Sequence, residues 1–157
     1  MSDSKTVKIV TYQEKYKDFY KSLNQEWIDK YFHMEEEDIL KLNNPEQIIS
    51  EGGAIHFALK NAVPVGVCSL VKLKNHTYDY ELSKMGVTAR HQGRGIGRQL
   101  AQSMIEVAQV KGAKTIFLES NRILTPALTL YRSLGFKELE QTSSVYSRSD
   151  IQMVLNL

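Results

Sequence analysis

Residues 81–98 read Glu81-Leu-Ser-Lys-Met-Gly-Val-Thr-Ala-Arg-His-Gln-Gly-Arg-Gly-Ile-Gly-Arg98. Leu82, Met85 and Val87 make a short apolar run that suits a buried strand. Gln92 to Gly97 then holds three glycines in six residues, and no further glycine follows until Gly112. A strand that turns through glycines into a helix exposes unpaired backbone N–H groups at the positive end of the helix dipole. Glycines let that backbone approach a ligand closely. The stretch therefore predicts a phosphate or pyrophosphate site.

The glycine spacing narrows the choice. A Walker loop closes on Gly-Lys-Ser/Thr, and here Gly97 is followed by Arg98 and Gln99. A dinucleotide fingerprint requires Gly-x-Gly-x-x-Gly. Gly93 and Gly95 fit it, but Arg98 stands at the third position. Gln92-x-x-Gly95-x-Gly97 remains, and it resembles the acetyl-CoA pyrophosphate loop of the GNAT N-acetyltransferase superfamily. Further on, Pro126-Ala-Leu-Thr-Leu-Tyr-Arg-Ser-Leu-Gly-Phe136 resembles that superfamily's Ala-x-x-Leu-Tyr-x-x-x-Gly-Phe signature, matched at Ala127, Leu130, Tyr131, Gly135 and Phe136. The resemblance covers residues 54–137 well and the two ends loosely.

Outward from these motifs the pattern is that of one α/β domain spanning residues 1–157. Val7 and Ile9 alternate with polar residues in a first strand. Tyr16, Phe19, Tyr20, Leu23, Trp27 and Tyr31 recur at helical spacing. Trp27, Tyr31 and Phe32 are candidates to border an acceptor pocket. The acidic run Glu35–Asp38 reads as a solvated helix start that suits the dipole, with an acidic lip for a cationic amine as the alternative. Ala54–Leu59 and Val63–Leu73 form a hairpin. A turn at residues 74–76, with His76 an exposed polar residue, leads into a strand over Thr77–Val87. A helix follows from Gly95 to its cap at Gly112. Thr115–Ser120 is a strand, Pro126 opens a helix that Gly135 ends, and strands follow at Phe136–Leu139 and Ile151–Leu157. Hairpins followed by strand–helix–strand–helix–strand imply a mixed sheet with helices on its faces. The resemblance implies the GNAT fold, a mixed, largely antiparallel sheet of six to seven strands with about four helices.

Bulk properties exclude several classes. The net charge of +2 is too small to argue for nucleic acid, and no apolar stretch reaches the length of a membrane span. The single cysteine, Cys68, precludes an internal disulfide; mid-strand among Val67, Leu70 and Val71, it reads as a buried, inert thiol. The N-terminus lacks the apolar core of a secretion signal. Cytoplasm is the default expectation.

The resemblance also assigns roles. It implies acetyl-CoA as co-substrate and an amine acceptor, with no metal in the site. Gln92, Gly93, Arg94, Gly95, Ile96, Gly97 and Arg98 would hold the pyrophosphate. The backbone of Met85, Gly86 and Val87 would pair with the pantetheine arm and polarise the thioester oxygen, with Gly86 permitting close approach. Tyr131 would be the general acid that protonates the departing thiolate. Glu81 and Glu119 are candidate general bases, with a water chain as a third possibility. Strand alternation places Glu81, Met85 and Val87 on one face. Asn121 resembles the asparagine that contacts pantetheine or the catalytic water, although it stands six residues before Ala127 where the usual spacing is three. Tyr146 and Arg148 are candidates to meet an acceptor carboxylate. The acceptor itself stays open among small amines, amino acids, antibiotics and protein lysines. Many members are dimers, so a homodimer is an expectation. A catalytically silent acyl-CoA-binding or sensor module is the alternative function.

Overall fold

The computed structural model describes residues 6–74, 77–140 and 143–157; Asn75 and His76 of the expected turn lie outside the described residues. Seven strands form one sheet: β1 (Lys8–Thr11), β2 (Ala54–Lys60), β3 (Val63–Lys72), β4 (Tyr80–Val87), β5 (Thr115–Ser120), β6 (Lys137–Leu139) and β7 (Ile151–Asn156). Their order is β1-β2-β3-β4-β5-β7-β6. Every neighbouring pair is antiparallel except β4 with β5, which is parallel.

Five α-helices cover the sheet: α1 (Lys17–Tyr31), α2 (Glu36–Leu42), α3 (Pro45–Ser50), α4 (Ile96–Val110) and α5 (Thr125–Ser133). On one face Tyr20, Leu23 and Ile28 of α1, Leu42 of α2 and Ile48 of α3 pack with Phe57 and Val67 of the sheet. On the other, Leu100 and Met104 of α4 and Leu128 and Tyr131 of α5 pack with Leu70, Leu82, Leu118 and Met153. β7 is buried at every position from Ile151 to Leu155. It lies inside the sheet and is covered on both faces, so the alternation expected of Ile151, Met153 and Leu155 is not an exposure pattern.

The strand that feeds the glycine turn departs from simple alternation. Ser83 pairs with Ser69 and Gly86 with Val67, so Lys84 and Met85 together oppose Cys68. Lys84 takes a left-handed backbone, φ +51°. This is a β-bulge, and one extra residue reverses which face the following side chains meet. Glu81 and Gly86 pair with Val71 and Val67 of the α1 side. Met85 and Val87 pack instead into the α4 side. Glu81 therefore does not share a face with Met85 and Val87.

Candidate active site

β4 and β5 are paired only at Tyr80 with Ile116 and Glu81 with Phe117. Beyond those pairs β5 continues against β7, while the β4 edge that faces β5 has no further strand partner among the described residues. The strands diverge into a wedge that opens a cavity of about 430 Å³. Glu81 to Val87 line one side of it, and Glu119, Ser120 and Asn121 the other.

At one end stands the glycine turn. Gln92 Nε2 donates to the Val87 carbonyl at 2.9 Å, which ties the turn to the end of β4. Gly93 and Gly95 adopt φ of +78° and +79°, where side chains are strained, and no atom lies within 4 Å of where their Cβ atoms would stand. No side chain caps α4 among the described residues, and its first turn carries no acidic residue. A helix start without a capping side chain or an acidic residue suits an anion. Gly97 packs near Leu130 and Met85, and Ile96 is buried in the core. Arg98 lines the cavity and donates to Ser133 Oγ at 2.7 Å. Arg94 is exposed, lies outside the cavity lining and reaches His91 Nδ1 at 3.5 Å.

Gly86 is required for a reason other than the expected one. A Cβ there would stand 2.7 Å from the Leu23 carbonyl oxygen and 2.9 Å from Trp27 Cδ1. The close approach that Gly86 permits is that of α1, which seats Trp27 over β4.

Tyr131 projects from α5 into the cavity, 9% exposed, with its ring edge-on to Phe136 at 5.8 Å. Burial pushes its phenol well above the ordinary range, so it carries its proton at neutral pH. Glu81 lines the same cavity. Burial pushes its carboxyl up to about 7; Lys41 and Lys84 work against the rise, and Glu119 adds to it. Glu119 accepts from Ser149 Oγ at 3.0 Å and Gln152 Nε2 at 3.1 Å. Asn121 lines the cavity but spends its amide on the chain: Nδ2 donates to the Arg148 carbonyl at 2.7 Å, and Oδ1 accepts from Ile123 N at 2.9 Å. Cys68 is fully buried and its thiol is pushed up by burial, as an inert core residue should be.

The other end of the cavity holds charges that sequence reasoning read differently. Asp38 is fully buried. Arg148 grips it from two nitrogens, at 2.7 and 2.6 Å, and Lys84 Nζ donates to it at 2.7 Å. Burial alone would raise the Asp38 carboxyl, but the Arg148 and Lys84 donors outweigh it and hold the group far below the ordinary range. Glu35 accepts from Arg148 at 3.3 Å and from Ser147 N at 3.0 Å. The run at residues 35–38 is therefore neither a wholly solvated helix start nor a free acidic lip. Two of its four side chains neutralise buried cations, because an unpaired charge at these depths costs several kcal/mol. Lys84 was missed, although a lysine within an apolar strand signals a buried carboxylate partner. Tyr146 accepts from Lys84 at 3.0 Å, and the Arg148 guanidinium lies 4.5 Å from the Tyr146 ring, 5.6 Å from Trp27 and 6.0 Å from Phe32. Trp27, Tyr31, Phe32, Tyr146 and Arg148 all line the cavity.

A family model described as "Acetyltransferase (GNAT) family" matches residues 12–136. N-alpha-acetyltransferase RimI of Mycobacterium tuberculosis is 34% identical over 76 residues, 48% of this chain and 46% of that protein. Human N-acetyltransferase 8B is 32% identical over 62 residues, 40% of this chain and 27% of that protein. The chain thus spans about half or less of the length of these curated relatives. A GNAT-family acetyltransferase structure from Staphylococcus aureus Mu50 superposes with TM-score 0.86 at 21% identity, over 96% of this chain and 99% of that one. The structure of yncA from Salmonella typhimurium, solved with acetyl-CoA, superposes with TM-score 0.79 at 19% identity, over 96% and 94% of the two chains. Likeness at these identities concerns the fold.

Proposed function

We propose that this chain, which belongs to the acetyltransferase (GNAT) family, moves an acetyl group from acetyl-CoA to a primary amine by direct attack within a ternary complex. The observation that carries this reading is the wedge between β4 and β5. It gathers the uncapped α4 N-terminus, the Tyr131 phenol and the Glu81 carboxyl along one cavity.

Each group has a task in the chemistry. The turn at residues 92–98 holds the pyrophosphate through backbone N–H groups, with Arg98 adding charge. The unpaired edge of Met85, Gly86 and Val87 receives the pantetheine arm as a strand would and offers an N–H to the thioester oxygen. The attacking amine must be neutral. Glu81, poised to about 7, takes its proton, directly or through a water. Nitrogen then bonds to the acetyl carbon as the carbon–sulfur bond breaks. Tyr131 gives its proton to the leaving sulfur and regains one from solvent. A silent CoA-binding module would need neither an ionisable carboxyl near neutrality nor a protonated phenol in this cavity.

Two measurements test the reading in sequence. Calorimetric titration should show acetyl-CoA binding, and thiol release over a panel of primary amines should show turnover. Binding with no turnover on any amine favours the silent module. No binding overturns the assignment of residues 92–98.

A further inference from the structure

We propose that the acceptor is a small primary amine that carries an apolar ring and lacks a carboxylate. The inference rests on the acetyl-transfer reading and deepens it.

Both cations at the acceptor end are already committed. Arg148 makes a two-point contact with Asp38 and a third with Glu35, and Lys84 shares Asp38 with it. Their side chains are 12% and 4% exposed. An acceptor carboxylate would have to displace a buried carboxylate from a bidentate guanidinium, leaving a charge uncompensated. In the wedge itself, neither Glu81 nor Glu119 joins an ion pair among the described residues. The acceptor groups that line the cavity where the strands part are the carboxyls of Glu81 and Glu119. They attract an ammonium and repel a zwitterion's carboxylate.

The wall beside Arg148 is aromatic. Phe32 meets the rings of Trp27 and Tyr31, each at 6.4 Å between centroids. Tyr31 lines the cavity and is 43% exposed. Such a surface favours a flat apolar substituent. The cavity, about 430 Å³, has the size of a small-molecule site.

The test compares four acceptors at saturating acetyl-CoA by thiol release: 2-phenylethylamine, phenylalanine, 1,4-diaminobutane and a tripeptide with N-terminal phenylalanine. The kcat/KM for 2-phenylethylamine should exceed each of the others by at least about tenfold. Tyr31→Ala should raise the KM for 2-phenylethylamine several-fold while acetyl-CoA affinity stays unchanged. Phenylalanine, the diamine or the tripeptide matching 2-phenylethylamine would overturn the inference. So would acetyl-CoA binding without turnover of 2-phenylethylamine. Loss of acetyl-CoA binding itself would instead overturn the acetyl-transfer reading beneath it.

Discussion

Removing one oxygen from Tyr131 isolates its proton. Tyr131→Phe keeps the edge contact with Phe136 and should lower kcat by about 10²-fold, the lower end for a general acid. Acetyl-CoA affinity by calorimetry should not change. Glu81→Gln tests the base. Wild-type kcat/KM should rise with pH through about 7, as the Glu81 carboxyl gives up its proton. The variant should lose about 10²-fold in kcat/KM and lose that limb of the profile. Stability should move the other way. A carboxyl raised above its usual value favours the folded state while protonated, and that contribution is lost as pH rises through about 7. At pH 8 the Glu81→Gln protein should therefore melt about 3 °C higher than wild type. The motifs made Tyr131 and the glycine turn legible, because each is a local arrangement of neighbouring residues. The Asp38 cluster was not legible. Its members are 46 and 110 positions apart, and no local spacing announces a contact made only by folding.

At the scale of elements, the β4 bulge decides which side chains share a face. A bulge at glycine would have been flagged by its residue type, but Lys84 carries the positive φ, and lysine gives no such signal. Alternation therefore placed Glu81 beside Met85, and the extra residue put them apart. Both still border the cavity, because it lies where the sheet itself opens. The packing of α1 on β4 yields a separate prediction. Gly86→Ala would drive a methyl group against Leu23 and Trp27 and should destabilise by about 1–3 kcal/mol as α1 shifts. Urea denaturation reads the loss. The KM for the amine should rise with it, because Trp27 moves.

For the whole molecule, the order of elements was legible because hydrophobic period and turn residues repeat at the scale of each strand and helix. Which strands would part was not, since no residue type marks a missing strand pair. Asp38 joins α2 to β4 and to the loop before β7 through Lys84 and Arg148. Asp38→Asn leaves two buried cations without their carboxylate and should cost about 3–5 kcal/mol, read as a lower urea midpoint. In wild type the Asp38 contribution should persist through mild acid and fade as pH falls from the ordinary carboxylate range towards its depressed value.

The two-pair seam between β4 and β5 has a consequence for supply and abundance. The proposed co-substrate, seated in the wedge, would complete hydrogen bonding that the chain leaves open, which would link occupancy to folding. At one hundred times its dissociation constant, acetyl-CoA should add about 2.7 kcal/mol to stability, and amide exchange should slow most along β4 and β5. On the proposed reading, where acetyl-CoA runs short more of this protein would stand unfolded and open to proteolysis, so its abundance would track that metabolite.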